Sequence, residues 1–172
     1  VPDVRLKDGE VVEGSGFAIQ GVATPGHAAN HMAFALLGEG TMFIGDHVMG
    51  WSSTVVVPPG GSMVDYMASL EKLLGRSETL YFPGHGPQIE NAPSFVRATI
   101  AHRKAREASI LHRLGKGATD IATIVRAVYI GLDPRLTKAA GYSVLAHMED
   151  LVARGVVATD GPPSINGVFR RP

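Results

Sequence analysis

The sequence predicts an α+β chain, with strands in the first half, helices in the second and a short β-ribbon at the end. Three observations carry that reading. Apolar residues alternate with period two between Phe17 and Ile44, they return at helical spacing after Ser62, and Gly/Pro clusters separate the segments. Phe17, Ile19 and Val22 predict a strand running into the turn Thr24-Pro25-Gly26. Met32, Phe34 and Leu36 predict a second strand, and Met42 and Ile44 a third beyond Gly38-Glu39-Gly40, so the pair forms a hairpin ending at Gly45-Asp46. Residues 53–62, with Pro58-Pro59-Gly60-Gly61, read as a loop. Ser62 is placed to cap a helix whose apolar face is Met63, Tyr66, Met67, Leu70, Leu73 and Leu74, stopping near Gly75. A short strand over residues 79–82 then delivers Pro83-Gly84-His85-Gly86.

After Pro93 the pattern becomes helical. Ser94 is the expected cap of a long helix reaching about Leu114, broken by Gly115 and Gly117. Thr119 opens a second helix with Ile121, Ile124, Val125 and Val128 inward. A third runs from about Thr137 to Arg154, with Val144, Leu145, Met148, Leu151 and Val152 on one face and Gly155 closing it. Val156-Val157-Ala158, the turn Asp160-Gly161-Pro162-Pro163 and residues 165–170 read as a two-stranded ribbon. Helices followed by such a ribbon suggest a winged helix-turn-helix.

A chain of 172 residues with 45% hydrophobic content can bury a real core, as one domain or two small ones. It has no cysteine, which excludes disulfides, zinc ribbons and a thiol nucleophile. No apolar run approaches the roughly 20 residues of a membrane span, and no secretory signal opens the chain. The expectation is a soluble cytoplasmic protein without a membrane partner. The start at Val1-Pro2-Asp3-Val4, without Met, reads as a cut end. Zero net charge hides an asymmetry: residues 1–92 carry 4 Lys/Arg against 10 Asp/Glu, and residues 93–172 carry 12 against 6. A basic half beside an acidic one can steer anionic ligands, although a solvated helical surface explains it more simply.

Thr24-Pro25-Gly26-His27, Gly45-Asp46 and Pro83-Gly84-His85-Gly86 each put a metal-ligating side chain where an apolar strand stops. Imidazole and carboxylate suit Zn²⁺, and a carboxylate can bridge two ions. Strand ends hold ligands well, because the sheet fixes the backbone while glycines permit close approach. One such segment says little. All three in this order, with a hairpin between the first two and a helix between the last two, are specific.

The three segments resemble the later metal motifs of the metallo-β-lactamase-fold hydrolases. Residues 24–32, the Asp65-Tyr66-Met67-x-Ser69-Leu70 helix and His102-Arg103-x-x-Arg106-Glu107 resemble one branch in particular. That branch contains β-lactamase-like protein 2 and bacterial relatives with a C-terminal winged helix. The resemblance covers most of the chain. It implies the C-terminal half of an αββα sandwich over residues 1–92, followed by a helical linker and winged-helix-like domain over residues 93–172. It implies two Zn²⁺ ions, with His27 binding the first, His85 the second and Asp46 bridging them as the catalytic carboxylate. Metal-activated water would then attack an ester, thioester, amide or phosphodiester.

The family's His-x-His-x-Asp-His, which supplies two ligands to each metal, is absent from these residues. The expectation is therefore a C-terminal portion that is inactive alone, with the missing N-terminal half as a partner and a small-molecule or nucleic-acid substrate. The alternative function is a nucleic-acid-binding or endoribonuclease-type module using the basic winged-helix half. Against it, the third helix carries Glu149 and Asp150 beside Lys138 and Arg154, and its apolar middle favours packing over groove insertion.

Other residues carry weaker readings. His31 is expected to support the site or the structure rather than ligate, and His47 to point away from Asp46. Trp51 either shapes a substrate mouth or is partly buried. His102, Arg103 and Arg106 either orient an anionic substrate or form a solvated helix face, and the latter is preferred. His147 reads as a satisfied core or interface histidine. No Gly-x-Ser-x-Gly elbow or Walker loop is present, which leaves serine- and nucleotide-dependent mechanisms without support.

Overall fold

The alternating segments pair into a five-stranded sheet in spatial order β1-β2-β3-β4-β5. The strands are β1 (Val11–Gly14), β2 (Phe17–Ala23), β3 (Met32–Leu36), β4 (Thr41–Gly45) and β5 (Leu80–Pro83) in a computed structural model. It describes residues 5–117 and 119–172, so the residues behind the cut-end reading at positions 1–4 lie outside the described set. β1, which the period-two pattern did not predict, is turned back onto β2 by Ser15-Gly16 with Gly14 opposite Phe17.

The first four strands are antiparallel neighbours and β4–β5 is parallel. β2, β4 and β5 therefore all point the same way, and their C-terminal ends share one edge of the sheet. A parallel pair needs a crossover. Helix α1 (Met63–Leu74) supplies it, with the Ser62 side chain accepting from the Asp65 N–H as the sequence predicts.

Alternation sorts the two faces of this sheet. Ala33, Ala35, Met42 and Ile44 are fully buried against the helices, together with Tyr66, Leu70 and Leu73 of α1. On the opposite face Phe43 and Phe82 stack at 5.8 Å and stay 47% and 37% exposed. Among the described residues nothing deeply covers that aromatic stripe.

Helix α2 (Ala92–Leu114) begins three residues earlier than expected. Asn91, not Ser94, is the cap: its side chain accepts from the Ser94 N–H at 3.3 Å, and Pro93 sits in the first turn, where its missing N–H is harmless. Val96 and Ile100 of α2 join the sheet core, while Ile110 and Leu114 join a second core. At 23 residues the helix is about 35 Å long, enough to run through both.

The second core is built by α3 (Ile121–Val128), α4 (Thr137–Ala153), Val157 and Phe169. Asp120, rather than Thr119, caps α3 by accepting from the Thr123 N–H at 2.7 Å. The expected two-stranded ribbon is a three-stranded sheet in the order β6-β8-β7. β6 (Thr119–Asp120) is already extended for capping and pairs with β8 (Val168–Arg170), which also pairs with β7 (Ala158–Thr159).

Helix α4 is buried on more than one face. Ala140, Gly141 and every residue from 143 to 148 are buried, and Ala146 belongs to the sheet core rather than the second one. Its middle is therefore enclosed by protein and cannot enter a nucleic-acid groove.

Candidate metal centre

The shared sheet edge carries all three strand-end motifs. His27 follows β2, Asp46 follows β4 and His85 follows β5. The His27 turn is pinned by α1: the Ser69 hydroxyl donates to the Pro25 carbonyl at 2.7 Å, and the Ser62 N–H donates to the Gly26 carbonyl at 2.9 Å. Gly26 has φ +141°, and a Cβ there would lie 2.3 Å from the Tyr66 Cα, so only glycine lets the turn press onto the helix.

His27 Nδ1 lies 2.7 Å from the Val55 carbonyl oxygen. A carbonyl can only accept, so Nδ1 carries the proton and Nε2 keeps its lone pair. This is the usual arrangement of a metal-ligating histidine, whose other ring nitrogen is held by an outer partner.

Asp46 and His85 meet across the parallel pair, with His85 Nε2 3.6 Å from Asp46 Oδ1. That separation is too long for a hydrogen bond. Two donors bound tetrahedrally to one Zn²⁺ at about 2.0–2.2 Å would sit about 3.3–3.6 Å apart. Asp46 Oδ1 is buried with no hydrogen-bond partner, although the side chain as a whole is 36% exposed. A Cβ on Gly84 would stand 2.5 Å from that oxygen, so the glycine is what admits the carboxylate.

The donors fit a zinc-type ion in kind, and Asp46 with His85 fits one in spacing. Their number falls short. Among the described residues no three His, Cys, Asp or Glu side chains come close enough together to hold an ion. Tetrahedral zinc takes three protein ligands plus water, or four in a closed site.

Of the neighbouring histidines, His31 has a hydrogen-bond partner and His47 has none. His31 bonds through Nδ1 to the Thr24 hydroxyl at 2.8 Å, and burial, with His27 nearby, holds it below the ordinary imidazole pKa. His47 is fully buried against the Tyr66 ring at 4.7 Å, and burial pushes its pKa down to about 3. Trp51 is 71% exposed on the loop after Asp46.

The preferred reading of the α2 cluster as a solvated face is corrected for its two arginines. Arg103 is 3% exposed, donates to the Thr54 carbonyl and lies 5.0 Å from the Tyr66 ring centroid. Arg106 donates to the Val128 carbonyl at 2.9 Å and covers Tyr129 at 3.8 Å. Inward-facing guanidiniums whose stems cross apolar surface are indistinguishable in sequence from solvated ones. His102 is exposed, as expected, near the Ser53 hydroxyl.

His147 is also corrected. It is 2% exposed, but neither ring nitrogen has a protein hydrogen-bond partner. The residues that sequence reasoning missed are Val55, whose carbonyl orients His27, and Arg103, which holds the adjoining segment. A backbone carbonyl leaves no sequence signal.

The profile of the beta-lactamase associated winged helix domain matches residues 121–162. The chain is 34% identical over 143 residues to a beta-lactamase-like protein 2 homolog of Drosophila melanogaster, covering 81% of this chain and 47% of that protein. It is 32% identical over 138 residues to an atrochrysone carboxyl ACP thioesterase of Emericella nidulans, covering 78% and 44%. A crystal structure of a metallo-beta-lactamase family protein from Thermus thermophilus superposes on the whole chain and 55% of its own, with a TM-score of 0.85 and 27% identity. The chain spans about half the length of the curated relatives it matches. With the strand-end motifs on one sheet edge and the winged helix behind them, the chain belongs to the metallo-β-lactamase superfamily, in the β-lactamase-like branch that carries this winged helix.

Proposed function

We propose that the chain carries part of the two-metal site of a hydrolase acting on ester, thioester or amide bonds. His27, Asp46 and His85 are its contribution to ligating zinc-type ions, and residues outside the 172 complete the site. The observation that carries this is the buried, partnerless Asp46 Oδ1 facing His85 Nε2 at 3.6 Å, on the edge where His27 arrives with Nε2 free. A divalent ion held there would act as a Lewis acid and lower the pKa of a coordinated water. Asp46 and the two imidazoles orient that centre.

The substrate reading rests on the ground beside the site. A cavity of about 330 Å³ lies between the loop after Asp46 and α2, lined by Met49, Trp51, Ser53, Tyr66, Phe95 and His102 among others. Its walls are mostly apolar, and the arginines nearest to it are committed to carbonyls and rings. An apolar acyl group suits such a pocket, whereas a phosphodiester would look for free guanidinium forks. The thioesterase among the relatives supports the same class. The nucleic-acid reading has less support, since the middle of α4 is enclosed.

The test is reconstitution. The chain alone is expected to bind Zn²⁺ weakly by calorimetry and to leave aryl esters and acyl thioesters uncleaved. Adding a segment with the His-x-His-x-Asp-His ligands should produce zinc-dependent hydrolysis, and Asp46→Asn should abolish it. Stoichiometric, tight Zn²⁺ binding with turnover by the isolated chain would overturn the proposal of an incomplete site. A duplex or single-strand binding signal that falls steeply with salt would favour the nucleic-acid alternative.

A further inference from the structure

A buried arginine on the helix shared by both cores holds the segment that sets the tautomer of His27. Arg103 projects from the middle of α2, is 3% exposed and donates from Nη2 to the Thr54 carbonyl. The next carbonyl along the chain, that of Val55, accepts the His27 Nδ1–H at 2.7 Å. Thr54 is tied at its other end as well, its hydroxyl donating to the Asp46 carbonyl at 2.9 Å and the His47 carbonyl at 3.2 Å. The same guanidinium lies 5.0 Å from the centroid of Tyr66, whose backbone meets the Gly26 turn. Arg103 thus touches both walls of the His27 position without touching His27.

We propose that Arg103 is a positioning residue for the metal centre: by fixing the Thr54-Val55 backbone it locks His27 with Nδ1 protonated and Nε2 available to a metal. This rests on the reading of His27 as a ligand. The chemistry is that of an outer partner one step removed. If the Val55 carbonyl drifts, the imidazole can place its proton on Nε2 and lose its donor lone pair. A charged hydrogen bond to a buried carbonyl is suited to prevent that drift, since leaving either group unpaired is unfavourable. The winged-helix side of the molecule, through α2, would then tune a ligand on the sheet edge.

The experiment reads the histidine tautomers of the 172-residue chain by long-range ¹H–¹⁵N NMR, without metal. Wild type is expected to show His27 as a single Nδ1–H form, assigned by its loss in His27→Gln. Arg103→Met is expected to give a mixture dominated by neither tautomer, and Arg103→Lys, which can still reach a carbonyl, to recover much of the Nδ1–H form. Arg106→Met, which removes a guanidinium of α2 from the second core, should lower the melting temperature and leave His27 unchanged.

A folded Arg103→Met with His27 still wholly Nδ1–H overturns the proposal, as does an equal shift in Arg106→Met. If Arg103→Met does not fold, Arg103→Gln, whose shorter side chain does not span to the Thr54 carbonyl, decides: a measurable Nε2–H population upholds the proposal and an unchanged His27 overturns it. A wild-type His27 protonated on Nε2 would instead sink the ligand reading itself.

Discussion

The sheet half and the winged-helix half differ in where their unmatched groups lie. In the winged-helix half α3 is capped by Asp120, α4 is sheathed on several faces, and Arg154 ties α4 to α2 through Glu107 at 2.8 Å. In the sheet half, Asp46 Oδ1 and both nitrogens of His47 are buried without partners, and Phe43 and Phe82 stack on an open face. The winged-helix half leaves one imidazole unmatched, His147, enclosed inside its packed α4 rather than at a sheet edge. The half that carries the strand-end ligands has both a polar and an apolar surface still unmatched, as expected where a functional centre needs contributions from beyond these residues.

The contrast breaks first if core deletions fail to discriminate. Met148→Ala, at a fully buried position of α4, should destabilise the chain by about 2–5 kcal/mol in urea unfolding. Phe43→Ser on the open face should stay within about 0.5 kcal/mol. Equal losses would mean that the aromatic stripe is as well packed as the second core.

The next effect is pH-dependent. Burial is the main cause of a His147 pKa of about 3, with Arg103, Arg106, Arg154 and His102 adding to it. The unfolded imidazole titrates near 6.5. Between those values the unfolded chain binds the extra proton, so this stability is present above about pH 6.5 and is lost as pH falls toward 3. The limiting slope is about 1.4 kcal/mol per pH unit. Denaturant unfolding of wild type and His147→Leu across pH 7 to 4 should show a smaller acid loss in the variant. Parallel curves would show that His147 is not the titrating group. The smallest effect separates the observed cap of α3 from the residue the sequence suggested: Asp120→Ala should cost about 1 kcal/mol by thermal unfolding, and Thr119→Ala less.

What could be read in advance was local. Ser62 caps α1 because donor and acceptor are three residues apart, and the strand-end turns announce themselves through Pro, Gly and an adjoining apolar run. β1 leaves only the Ser15-Gly16 turn as a signal, because its Val11-Val12 run is too short and exposed to show a period. β6 is two residues long, below any pattern a period can define. The confusion between Ser94 and Asn91 is of the same kind, since both residue types are good caps and only the position of Pro93 separates them.

The sequence by itself determined which side chains can ligate, which of the longer segments are strand or helix, and that three donors fall short of a pair of zinc sites. Only the tertiary structure decided that the C-terminal ends of β2, β4 and β5 share an edge, that the Val55 carbonyl orients His27 across 28 residues, and that Arg103 reaches Thr54 across 49. The reason is physical. Periodicity and caps act within a few residues of one another, whereas a tautomer, a buried guanidinium or a partnerless carboxylate oxygen is set by whichever distant groups the packed chain brings alongside.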